Sequence, residues 1–147
     1  MKSIDCVLCD ELGGELIFQN SHLRIIAPHE ALYPGLIRVI WNSHAQEMTD
    51  LTFEHRSQMM KTVCLVEDMM RQIMLPIKIN LASLGNAVPH LHWHIIPRWV
   101  DDTHFPLPIW GETQRQVSQA WLHEKAELAT RLVQAIKEYF MQHESNQ

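Results

Sequence analysis

The chain has 147 residues, 46% of them hydrophobic, enough for one globular domain with a real core. Its formal net charge of −5 argues against broad nucleic-acid binding, but it leaves room for a local positive site that takes an anionic substrate. No run of about 18 apolar residues exists to span a membrane, and the opening MKSIDCVLCDELGGE lacks the apolar core of a signal peptide, so a cytoplasmic chain is expected.

Cys6-x-x-Cys9 opens the chain, and Cys64 is the third cysteine. Three cysteines do not make a disulfide framework; they read as thiols or metal ligands. ELIFQN and HLRIIAP, within residues 15–28, predict two short strands joined at Asn20-Ser21. A turn at residues 33–35, TyrProGly, leads into a third strand, LIRVIW, at 36–41. Then the period changes. Thr52 is an N-cap candidate, with Glu54 in the first turn. Met59, Val63, Val66, Met70 and Ile73 mark one face of an amphipathic helix that Pro76 closes. Cys64 is expected in or near the core, and the helix methionines in packing or dimer contact. IKINLAS at 77–83 predicts a fourth strand, LeuGlyAsn a turn, and LHWHII at 91–96 a fifth. Val117, Trp121, Leu128, Leu132, Ala135 and Tyr139 predict a C-terminal helix over about 113–142, with a frayed polar tail at 142–147. The order β-β-β-α-β-β-α implies an α+β fold: a five-stranded, largely antiparallel sheet with two main helices.

The stretch PHLHWHIIPR, residues 89–98, asks for a chemical explanation. On a strand His90, His92 and His94 share one face, about 6–7 Å apart per pair, while Leu91, Trp93 and Ile95 face the core. Three readings compete. One is an exposed face without a role. Another is a metal site, which three ligands on a straight strand suit poorly. The third is nucleophilic catalysis on phosphorus. Neutral imidazole is a nucleophile near pH 7, and neighbouring imidazoles can bind the phosphate and assist the leaving group. The attacking ring needs an acceptor, such as a backbone carbonyl, for its other nitrogen.

The run His90-Leu91-His92-Trp93-His94-Ile95-Ile96 resembles the H-φ-H-φ-H-φ-φ signature of the histidine triad (HIT) family, where φ is apolar. The CxxC, the ProGly before an apolar strand, the helix, the strand bearing Asn80 and the Gly-Asn turn follow the family order. The branch it most resembles is the bacterial diadenosine-polyphosphate-hydrolase-like and Hint-like one. The resemblance implies a single HIT domain over 1–147, with an N-terminal CxxC arm of about residues 1–14. It implies a hydrolase that cleaves a substituted α-phosphate, in a dinucleoside polyphosphate or a nucleoside phosphoramidate of a purine nucleotide, through a nucleotidyl-histidine intermediate. His92 matches the nucleophile, His94 the residue contacting phosphate and bridging oxygen, and His90 the supporting first histidine. Asn86 matches a polar group near the phosphate or leaving group, and Asn80 an Asn near the site. A homodimer whose sheets join into ten strands is also implied, and no cofactor is required for catalysis. Two departures stand out: Leu36 where many relatives have His after ProGly, and Ala87 where several have a hydroxyl residue. They leave open a nucleotide- or zinc-binding interaction protein with little turnover; a nucleotidyl transferase is a third possibility.

Some bacterial members bind zinc through such a CxxC pair; here the ligands would be Cys6, Cys9, His44 and His90, a closed structural site. The alternative is two reduced thiols in the arm. Arg98 is a candidate phosphate clamp, because guanidinium binds phosphate bidentately, or a solvated strand end. Trp99, Trp110 and residues 101–106 form either a wall on the leaving-group side or a structured loop.

Overall fold

The apolar runs become five strands: β1 (Glu15–Gln19), β2 (Leu23–Ala27), β3 (Ile37–Trp41), β4 (Lys78–Ala82) and β5 (His92–Arg98). The computed structural model describes residues 2–143. The strands form one antiparallel sheet in the order β1-β2-β3-β5-β4. Two long helices, α2 (Phe53–Met74) and α3 (Gln119–His143), join a four-residue helix α1 (Val7–Asp10) and a 3-10 turn (Met48–Asp50). The expected α+β architecture forms, with α1 and the 3-10 turn as additions.

The period-two alternation divides the sheet. Ile25, Val39 and Ile95 face the helices and pack against Met59, Val63, Val66 and Met70 of α2 and Leu132, Ile136 and Phe140 of α3. Arg38, Ile40, His92 and His94 take the opposite face. Two small clusters bracket that face. At one end Cys6 and Leu8 of the arm pack on Ile26 and Ile40. At the other end Tyr33 and Leu36 pack on Ile96, with Ile109 against them.

The helix α2 begins as expected: the Thr52 hydroxyl accepts from the His55 N–H at 3.2 Å. It ends at Leu75, in the left-handed region with φ of 52°, just before Pro76. A Cβ on Gly35 (φ 91°) would meet Met74 Sδ at 2.4 Å, so the ProGly turn lies directly against the end of α2. Cys64 corrects the sequence expectation, because its side chain is exposed on the solvent side of α2. So does α3, which starts at Gln119 rather than near 113. Residues 113–118 are held elsewhere. The N–H groups of Gln114 and Arg115 donate to the Thr103 carbonyl at 2.8 and 3.2 Å, and Ser118 Oγ accepts from the Trp121 N–H as a cap. Gln142 and His143 are the last described residues of α3; residues 144–147 of the expected frayed tail lie outside the described residues.

Candidate active site

His92 and His94 lie on β5, flanked on one side by β3. The register sets Ile40 opposite His92 and Arg38 opposite His94. The two imidazoles are 4.9 Å apart by ring centroid. His92 Nδ1 donates to the His90 carbonyl at 2.5 Å, which leaves Nε2 with a free lone pair. This carbonyl is the acceptor that a nucleophilic imidazole needs. Arg38 Nε donates to His94 Nδ1 at 3.3 Å. Since guanidinium has no acceptor, the His94 proton sits on Nε2. The edge of Trp110 meets the His94 ring at 5.2 Å. Ser83 Oγ donates to the His92 carbonyl at 2.9 Å and fixes the backbone there.

Burial pushes both pKa values down, and the Arg38 cation adds to it; the His90 carbonyl partly offsets the effect at His92. His94 falls to about 4. Both imidazoles are therefore neutral at pH 7. They open on a cavity of about 850 Å³, with Asn86, Arg38 and Glu11 as its polar side chains beside them and Leu8, Leu12 and Val88 among the apolar ones. That volume suits a ligand of nucleotide size. A separate cavity of about 580 Å³ beside α3 contains none of the three triad histidines.

His90 does something different. It precedes β5, and its Nε2 donates to the Trp41 carbonyl at 2.6 Å. Its Nδ1 lone pair lies 3.3 Å from Cys6 Sγ and 3.5 Å from Cys9 Sγ, and Cys9 Sγ lies 3.5 Å from His44 Nδ1. The four donor atoms all fall within 4.8 Å of one another. Tetrahedral zinc with its usual bond lengths has S···N edges of about 3.6 Å. The donor set and its spacing fit that ion, and no other group of this kind occurs among the described residues. Burial raises the Cys6 thiol pKa, a bias that a bound cation would reverse.

Two sequence-predicted site residues sit elsewhere. Arg98 is 2% exposed, and its guanidinium donates to both oxygens of Asp102 at 2.8 and 3.1 Å, to Asn80 Oδ1 at 2.7 Å and to the Leu107 carbonyl at 2.7 Å. Neither Arg98 nor Asn80 lines the histidine cavity. Arg98 is thus neither a phosphate clamp nor solvated, because a buried carboxylate four residues on takes its fork. Burial alone would raise the Asp102 pKa, but the hydrogen bonds from Arg98 and from the Trp99 and Phe105 N–H groups outweigh it and hold the carboxyl below its ordinary value. Residues 101–106 are a structured loop built on that carboxylate, while Trp110 forms the wall. Sequence reasoning missed Arg38, and the signal was available: one arginine inside the apolar run LIRVIW.

A family model described as HIT domain matches residues 10–100. The AP-4-A phosphorylase of Mycobacterium tuberculosis, from two strains, is 26% identical, covering 62% of this chain and 54% of that protein. The chain therefore spans about half the length of these curated relatives. A solved histidine triad protein from Bradyrhizobium japonicum is 27% identical with a TM-score of 0.66, covering 83% of this chain and 92% of that one. One from Sinorhizobium meliloti 1021 is 22% identical with a TM-score of 0.67, covering 84% and 90%.

Proposed function

The chain belongs to the HIT domain family, and from that premise we propose that it is a nucleotide hydrolase that cleaves a substituted α-phosphate through a covalent intermediate on His92. The observation that carries this reading is the pinned His92 ring: Nδ1–H is held by the His90 carbonyl, and Nε2 is free toward the cavity. His92 Nε2 attacks the α-phosphorus in line. The bond to the leaving group breaks with its electron pair staying on the departing atom, which accepts a hydrogen bond from His94 Nε2–H and takes up a proton from solvent. The His90 carbonyl stabilises the positive charge that develops on the His92 ring. Water then attacks the phosphorus and loses a proton to solvent, the N–P bond breaks with its electron pair returning to Nε2, and the nucleoside monophosphate leaves neutral His92 behind. The substrate is a dinucleoside polyphosphate or a nucleoside phosphoramidate.

Cys6, Cys9, His44 and His90 would hold a structural zinc. When bound it ties the arm to the sheet and supplies none of the chemistry above. Its ligand His90 keeps its carbonyl for His92.

The test is nucleoside monophosphate release from an adenosine phosphoramidate and from diadenosine polyphosphates, wild type beside His92→Asn, with and without inorganic phosphate. Release by the wild type and none by the variant supports the reading. The name AP-4-A phosphorylase among the relatives favours a second reading, transfer of the nucleotidyl group to phosphate. That reading gives nucleoside diphosphate only when phosphate is present. No product from any substrate overturns both and leaves a binding protein.

A further inference from the structure

The residues that would ordinarily neutralise a phosphate are sparse here. Leu36 is buried against Tyr33 and Ile96, so no polar group comes from that position. Ala87 brings no hydroxyl to the cavity. Asn86 is neutral, and the one lining carboxylate, Glu11, has the wrong sign. Attack on phosphorus nonetheless builds charge on the non-bridging oxygens, and a site without a cation leaves that charge unbalanced.

Arg38 is the single lysine or arginine lining the cavity. It lies on β3 two residues after Leu36, on the same face, directly across from His94. Its bonding sets it apart from the other inward arginines. Arg24 spends its Nε and both terminal nitrogens on the Leu12, Leu8 and Glu11 carbonyls and on Asn42. Arg98 is saturated by Asp102, Asn80 and the Leu107 carbonyl. Arg38 uses Nε alone, on His94. Among the described residues its two terminal nitrogens have no hydrogen-bond partner, and no carboxylate lies within ion-pair distance.

We infer that Arg38 is the phosphate-binding cation of this site, gripping the non-bridging oxygens of the phosphoryl group at His92 with its two free terminal nitrogens while its Nε holds the His94 ring; this rests on the nucleotide reading above. The two functions suit one side chain. A planar fork anchored through one N–H presents the remaining pair in a fixed direction, which a lysine cannot do. The inference also narrows the substrate. One cation balances one phosphoryl group, so the reacting phosphate is read at Arg38, and any further phosphates must be met outside the residues that line this cavity.

The experiment is calorimetric titration with AMP and with adenosine, on wild type, Arg38→Gln and Arg38→Lys, with thermal melts by circular dichroism to confirm folding. The wild type should prefer AMP. Arg38→Gln should lose roughly 10- to 100-fold in AMP affinity, the worth of hydrogen bonds to a charged group, and leave adenosine affinity unchanged. Arg38→Lys should recover part of the loss. If Arg38→Gln does not fold, Arg38→Lys alone should still weaken AMP severalfold against adenosine. Soluble guanidinium should restore part of the turnover lost in Arg38→Gln, which a packing defect would not allow. Undiminished AMP binding in folded Arg38→Gln overturns the assignment to Arg38 while the nucleotide reading stands. A wild type with no preference for AMP overturns the nucleotide reading and the inference with it.

Discussion

His92 and His94 stand on one strand with opposite ring nitrogens protonated, Nδ1 in the first and Nε2 in the second. The alternation that brings them to one face is legible in the sequence. Their tautomers are not, because these depend on a carbonyl two residues back and on a guanidinium across the sheet. For the same reason Arg98 misleads: its partner Asp102 is visible in the sequence, but the loop that folds the carboxylate back onto the strand is not. Two predictions belong here. The His94 imidazole should titrate near pH 4 by NMR, and Arg38→Leu should move it only part of the way back, since burial is the larger cause. An unfolded histidine titrates near 6.5, so the native state binds fewer protons than the unfolded chain. Stability linked to His94 is complete above about pH 6.5 and declines as pH falls toward 4, by on the order of 2–3 kcal/mol. Denaturant melts across that range should show a shallower decline in His94→Gln than in wild type. Equal slopes would mean that His94 is not depressed.

Among the elements, α2 was readable almost in full because cap, period and stop agree. The start of α3 was not, since the Thr103 carbonyl takes the Gln114 and Arg115 N–H groups before that segment can join a helix. Thr52→Ala should lower stability by about 1 kcal/mol in urea unfolding, the usual value of such a cap. A loss near zero would mean that the hydroxyl bond is inert. At four residues α1 is too short to hold itself. It depends on Arg24, which takes three carbonyls from the arm, and on the Cys6, Cys9, His44 and His90 cluster. Elemental analysis should find about one zinc per chain, and chelation should lower the melting temperature. In Cys9→Ser the metal should be lost and the chelator effect should vanish. A metal-free wild type would leave the arm held by Arg24 and packing alone.

At the scale of the molecule the sheet order leaves β4 on an edge, beside the exposed Leu75, Ile77 and Leu81. An apolar open edge of this kind invites a partner strand. A second copy pairing there gives the ten-stranded sheet implied by the resemblance. Sedimentation should give twice the chain mass, and Ile77→Lys with Leu81→Lys should give monomers; a monomeric wild type at micromolar concentration removes the dimer. The sequence carried the strand count and order of elements, because periodicity is local. It did not carry the buried Arg98–Asp102 pair, which joins the end of β5 to the loop leading to Trp110. That pair constrains how the sequence can drift. Removing Asp102 alone strands a buried guanidinium, at a cost of roughly 3–5 kcal/mol, a large share of the stability of a small protein. Replacing Arg98 alone leaves the carboxylate without its counter-charge. A joint exchange to well-packed apolar residues carries no such charge penalty, yet it lies two substitutions away, past an intermediate that folds poorly. Descendants of this chain are therefore expected to keep both residues or lose both, whatever becomes of the chemistry at His92.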